Sequence, residues 1–133
     1  MKLTRPIWLT LAAVFFIVAG IFHFLRPEFY AQIVPPYFPA PRVLVLVSGA
    51  AEIAGGVGLL IPFLRQAAGS GLIVLLVAVF PANIYMAMHP EQFQTASWIL
   101  WARLPFQGVF LGWVWIVAIH RPKPKTVSQE TPN

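Results

Sequence analysis

Residues 66–90 read QAAGSGLIVLLVAVFPANIYMAMHP, 25 positions without one Asp, Glu, Lys or Arg. A helix rises 1.5 Å per residue, so about 20 apolar residues cross the roughly 30 Å hydrocarbon core of a bilayer. The same reading extends outward to three further uncharged runs, Pro6–Leu25, Ile53–Leu64 and Leu104–His120. Of the 133 residues, 59% are hydrophobic and 10% charged, where soluble domains carry about 25% charged residues. Mean hydropathy is +0.76. These features predict an all-α, integral membrane four-helix bundle with helices over about 7–25, 43–63, 68–88 and 97–119. Residues 1–120 form one domain in this reading, and the polar stretch 121–133 is a disordered cytoplasmic tail.

Lys2 and Arg5 ahead of an apolar run also fit a signal peptide, with Val18-Ala19-Gly20 as a passable cleavage site. The run continues through Phe24 and is long enough to span, so it is read as the first crossing. No cysteine is present, which excludes dithiol chemistry, thiolate metal sites and iron–sulfur clusters as built-in activities. The net charge of +5 does not imply nucleic acid, because the basic residues gather at the chain ends and in one short loop. With both ends cytoplasmic, the inner side carries Lys2, Arg5, Arg65, Arg121, Lys123 and Lys125, against Arg26 and Arg42 outside. That asymmetry predicts a bacterial inner-membrane protein with N- and C-termini in the cytoplasm.

The longest connection, RPEFYAQIVPPYFPAPR (26–42), places Pro27 and Glu28 where a helix start favours them. Phe29, Tyr30, Ile33 and Val34 follow on one side, and Pro35-Pro36 stops the turn. A short interfacial helix is expected here, as a lid or as a plain membrane-surface anchor.

Polar side chains inside the spans carry the functional question. Glu52 lies about nine residues, or roughly 14 Å, below the outer end of the second span. A charge near the bilayer centre costs at least about 2.5–3.5 kcal/mol, so it should face protein and find a partner. Gly49, Glu52, Gly55 and Gly56 read as one small-residue stripe against which a neighbouring helix packs closely. Arg103 on the fourth span is the expected counter-charge, and Gln107 is one turn deeper at nearly the level of Glu52. Pro105 removes a backbone donor and frees the carbonyl of Trp101 as a further acceptor for Arg103. Asn83, after Pro81, and His23 add an amide and an imidazole at comparable depth. His23, Glu52, Asn83, Arg103 and Gln107 are thus the candidate ligand-binding residues, with no catalytic residue or metal ligand assigned. The competing reading is that such groups only bind helices together, at about 0.6–2 kcal/mol per contact. Proton or redox chemistry at Glu52 is a third option. Bis-histidine haem between His23 and His89 is disfavoured because both lie near the surface.

Four segments, GIFHFLRPEFYAQIVPPYFPAP, SGAAEIAGGVGLLIP, AVFPANIYMAMH and WARLPFQGVFLGWVW, occur in this order between Phe16 and Trp115. Together they resemble the DoxX-like family of small four-helix bacterial membrane proteins. The resemblance carries over His23, Pro27, Pro35, Pro36, Glu52, Gly55, Gly56, Pro81, Asn83, Arg103 and Gln107 as patterned positions. It implies a quinone- or lipid-binding subunit of a membrane redox complex, with quinone as the one cofactor to consider. A partner oxidoreductase subunit or a second copy is the implied protein contact. The absence of a thiol argues against transferring sulfur chemistry to this chain. A non-enzymatic membrane scaffold or assembly chaperone is the alternative. A transporter has less support, since no inverted repeat is visible.

Overall fold

The computed structural model describes residues 4–121, and the tail expected over 121–133 lies, apart from Arg121, outside the described residues. Four long helices make up the fold: α1 (Thr4–Leu25), α3 (Pro41–Leu60), α4 (Arg65–Met88) and α5 (Ser97–Val114). The last continues through a π-helical turn over Trp115–Ile119, giving a fourth continuous helical segment Ser97–Ile119. All four segments are long and apolar enough to cross a membrane. Two short elements sit in the connections, α2 (Pro27–Ala31) and a 3-10 turn (Pro90–Gln92). The short helix predicted in the first long connection is therefore present, with Pro27 in its opening turn and Glu28 beside it.

Local chemistry explains where the helices start and stop. α3 ends at Leu60, three residues before the expected boundary, because Ile61 precedes Pro62 and takes an extended conformation (φ −93°, ψ 113°). The ring of a following proline disfavours helical geometry at the preceding residue. Arg65 then donates from Nε to the carbonyl of Leu59 at 2.9 Å, satisfying one of the last acceptors of α3. α3 begins with Pro41 behind Ala40, the one described non-glycine residue with positive φ (49°). Pro81 and Pro105 sit inside α4 and α5, each removing one ladder donor.

The packing departs from the expected neighbours. α3 lies along α1 and α4, and α4 along α5, while α3 and α5 do not pack against one another. Small residues set this arrangement. A methyl group on Gly49 would fall 2.6 Å from His23 Cβ and 2.9 Å from the Gly20 carbonyl oxygen. One on Gly56 would meet the Ala13 carbonyl oxygen at 2.8 Å. Gly55 instead faces Leu72 of α4. The predicted single stripe is therefore split, with Gly49 and Gly56 serving α1 and Gly55 serving α4.

One end of the bundle holds the start of α1, the α3–α4 turn and the end of α5; it is the terminal end. Here Leu9, Ala12, Ala13 and Phe16 of α1 are buried with Leu59, Leu72, Val114, Val117 and Ala118 in a dry core. Arg5 donates to the carbonyl of Val117 at 3.2 Å and to that of His120 at 3.4 Å, strapping α1 to the π turn. At the opposite, loop end, a smaller cluster of Ile33, Met86, Ala87, Phe93 and Leu100 holds the first connection down on α4 and α5. Arg42 and Glu28 pair across that connection at 2.6 Å.

Candidate ligand-binding cavity

Between these two cores the helices enclose a cavity of about 690 Å³. Small-molecule sites commonly occupy about 300–1,000 Å³, mostly apolar with a few placed polar groups. All five polar residues singled out from the sequence line this space: His23 from α1, Glu52 from α3, Asn83 from α4, and Arg103 and Gln107 from α5. Phe15, Phe16 and Ala19 of α1, Leu75, Leu76 and Val79 of α4, and Phe106 and Phe110 of α5 supply apolar wall. Tyr30, Ile33, Val34, Pro35 and Phe38 close it at the loop end.

The partnerships differ from those predicted. Glu52 and Arg103 form no ion pair. The basic group facing the carboxylate is His23, whose Nε2 is 3.8 Å from Glu52 Oε2, because the Gly20–Gly49 approach brings α1 rather than α5 alongside α3. That separation is too long for a hydrogen bond. Arg103 is turned toward α4 and donates to the Met86 sulfur at 3.1 Å. The Trp101 carbonyl does not receive it. A thioether is a weak acceptor, and Arg103 is an exposed residue, so most of its five guanidinium donors face the surroundings rather than protein partners.

Gln107, the most buried polar side chain at 5% exposure, is fully engaged with α4. Its carbonyl accepts from Asn83 Nδ2 at 2.7 Å, and its amide donates to the backbone carbonyl of Leu76. That carbonyl belongs to the turn preceding Pro81, where the proline disturbs the ladder. Asn83 and Gln107 are therefore bonded to protein first and border the cavity second.

The opposite wall is unsatisfied. Glu52 Oε2 and His23 Nδ1 are buried without a hydrogen-bond partner, in side chains 13% and 14% exposed. Leaving a polar atom unpaired away from water costs roughly 1–3 kcal/mol, so a ligand donor or acceptor gains most at these two atoms. Tyr30, missed by the sequence reading as a site residue, stacks at a tilt on His23 with ring centroids 4.3 Å apart. Burial pushes its phenol above the ordinary tyrosine range, the Glu52 carboxylate adds to the effect and the Arg103 guanidinium offsets it. Its hydroxyl is thus a proton-bearing donor at neutral pH. The available signal for Tyr30 was its position one helical turn after Pro27 on the face already predicted to be apolar. His89 does not line the cavity; its ring packs on Tyr85 and its Nδ1 approaches the Tyr85 carbonyl at 2.9 Å.

Residues 11–118 match a family model described as Domain of unknown function (DUF8561). The chain belongs to this family. No curated protein and no solved structure matches it. The DUF8561 segment takes in every polar residue of the cavity, the connection that covers it and, apart from Leu9, the dry core beyond it. Arg5, which straps α1 to the end of α5, lies before the matched segment.

Proposed function

We propose that this chain is a multi-pass protein of the bacterial cytoplasmic membrane that holds the oxygen-bearing head group of a lipid-soluble molecule. A quinone is the preferred ligand within that class, and the chain serves as a subunit of a membrane redox complex without catalysing a reaction alone. One observation carries the reading: an apolar cavity into which a carboxyl oxygen, an imidazole nitrogen and an underused guanidinium converge without partners among themselves. A quinone or quinol presents carbonyl or hydroxyl oxygens on a hydrocarbon ring, which suits donors on the Arg103 and Tyr30 side and an acceptor at Glu52. The DoxX-like resemblance supports the choice of quinone over other lipids.

Orientation rests on charge. Arg5, Arg65 and Arg121 occupy the terminal end, against Arg26 and Arg42 beside Glu28 and Glu91 at the loop end, a modest basic excess that supports termini in the cytoplasm and α2 lying in the outer interface. Arg5 and Arg65 also serve as helix-end donors, so their positions have a structural reason besides topology.

Native mass spectrometry of protein extracted in mild detergent should find a co-purified amphipath, and decylubiquinone should quench tryptophan fluorescence saturably. Arg103→Met should weaken that binding at least tenfold, about 1.4 kcal/mol. Unchanged binding in Arg103→Met and Glu52→Gln together would remove the proposal. A scaffold reading is favoured by the Asn83–Gln107–Leu76 bonds, which tie α4 to α5 whether or not a ligand is present. On that reading Asn83→Leu lowers unfolding stability by about 0.6–2 kcal/mol and there is no ligand affinity to lose.

A further inference from the structure

α1 and α5 approach closely at one end only. At the terminal end α1 packs on the π turn, with Arg5 bonded to Val117 and Trp8 set edge-on to Trp113, ring centroids 6.3 Å apart. Above that contact, α1 and the α-helical part of α5 meet through large rings, Phe15 against Phe110 and Trp113, with little close backbone approach, which leaves a wedge between them. The stacked pair Phe15–Phe110, with centroids 4.6 Å apart and planes 16° from parallel, spans the wedge and marks its narrow limit. Beyond it, Ala19 and Phe106 border the gap and also line the cavity, and Phe106 is 60% exposed.

The loop end is covered by the first connection, in which Val34 is half-buried and Phe38 is exposed. Ile33 and Pro35 are buried in the lid, and Ile33 is locked into the cluster with Met86, Ala87, Phe93 and Leu100. The cavity is thus covered at the loop end by a connection anchored on α4 and α5, and its side between α1 and α5 is an aromatic slot.

We infer that the cavity opens sideways through the α1–α5 gap, and that its occupant reaches it from the bilayer as an amphipath whose hydrocarbon tail lies in the slot. The second part rests on the head-group reading given above. The first part does not, because it concerns the shape of the bundle alone. The tail lies between Phe15, Ala19, Phe106 and Phe110, while the head lies nearer the loop end, between His23 one turn after Ala19, Arg103 one turn before Phe106, and Glu52 of α3. The slot is apolar along its length and continuous with the polar wall, which fits one molecule with both characters rather than a helix of another chain.

The cysteine-free sequence makes the test direct. Bimane is attached to full-length protein at Val79→Cys, on the cavity wall, or at Val77→Cys, on the exposed face of α4. Both proteins are reconstituted in phosphatidylcholine vesicles containing lipid with a nitroxide on the acyl chain. The expected result is quenching at position 79 comparable to that at 77, with iodide from either side of the vesicle nearly without effect. Ala19→Trp, which places a ring in the slot, should reduce acyl-chain quenching at 79 by more than half and leave 77 unchanged. Should that variant not fold, the two labels in the unplugged protein decide the question alone. Quenching at 79 by iodide but not by acyl nitroxide would mean access through the lid and overturn the inference. Protection from both, with a cysteine at position 106 forming a disulfide to a second copy, would mean that the slot is a subunit interface and would overturn it equally. Acyl-chain access at 79 combined with decylubiquinone binding that ignores Arg103→Met would keep the opening and remove the head-group site.

Discussion

The two ends of this bundle use the same four helices for opposite purposes. At the terminal end, small residues let the helices close on one another, Ala13 of α1 against Gly56 of α3 and Ala118 against Gly69 of α4, with Arg5 strapping α1 to the end of α5. At the loop end, large rings and polar groups at the equivalent places on α1 and α5 keep the helices apart and leave about 690 Å³ between them. The difference lies in side-chain volume along two helices. Close packing specifies the bundle at one end, and its deliberate absence creates a site at the other.

The largest test of that contrast is truncation on each side of it. Leu72→Ala, in the dry core at 1% exposure, should cost about 2–5 kcal/mol in denaturant unfolding in micelles. Val79→Ala, on the cavity wall, should cost under about 1 kcal/mol, since its side chain already borders space. Equal losses would mean that the cavity is not the looser half.

Gly49→Ala sharpens the comparison at the boundary between the halves. The added methyl meets His23 and the Gly20 carbonyl, so the expected cost is about 1–3 kcal/mol, together with weakened decylubiquinone binding as His23 is displaced from Glu52. A smaller effect is expected at Glu52 itself. Removing one member of a well-formed buried ion pair costs about 3–5 kcal/mol, whereas the 3.8 Å His23 contact is long and Arg103 is elsewhere. Glu52→Gln should therefore change unfolding stability by less than about 1 kcal/mol and act chiefly on ligand binding. A loss as large as that of a true pair would show that the acid is structural.

The smallest effect concerns the lid. The Tyr30 phenol is held above its ordinary value of 10.0 in the folded protein. Its contribution to stability is fully present below that pH and is lost as pH rises through the higher folded value. Stability measured from pH 9 to 12 should fall less steeply in Tyr30→Phe than in the parent protein. Parallel curves would place Tyr30 outside the desolvated region.

Much of this was legible before any coordinates. Uncharged runs located four helices to within a few residues, because the length and apolarity needed to span a bilayer leave a coarse signal. Depth was legible too: counting residues along each span put His23, Asn83, Arg103 and Gln107 in the outer half with Glu52 near the midplane, and all five border one cavity. Direction around each helix axis was not. Glu52 was assigned to Arg103 on charge, but its neighbour is decided by which helix occupies the Gly49 and Gly56 face, and α1 does so through Gly20 and Ala13. Gly20, read only as part of a cleavage pattern, shows no partner until the α1–α3 register is known. The shortened α3 was predictable in principle, since Ile61-Pro62 states its own stop.

The Arg5 strap has a mechanical consequence. With its end fastened to α1 and its middle bonded to α4 through Gln107, α5 is held against sliding along its own axis, and a displacement of its far end would be a tilt shared with α4. The helix is about 27 Å long over its α-helical part, so a tilt of about 5° shifts its far end by about 2 Å. A tilt of that kind would change the width of the cavity while leaving the tightly packed half undisturbed.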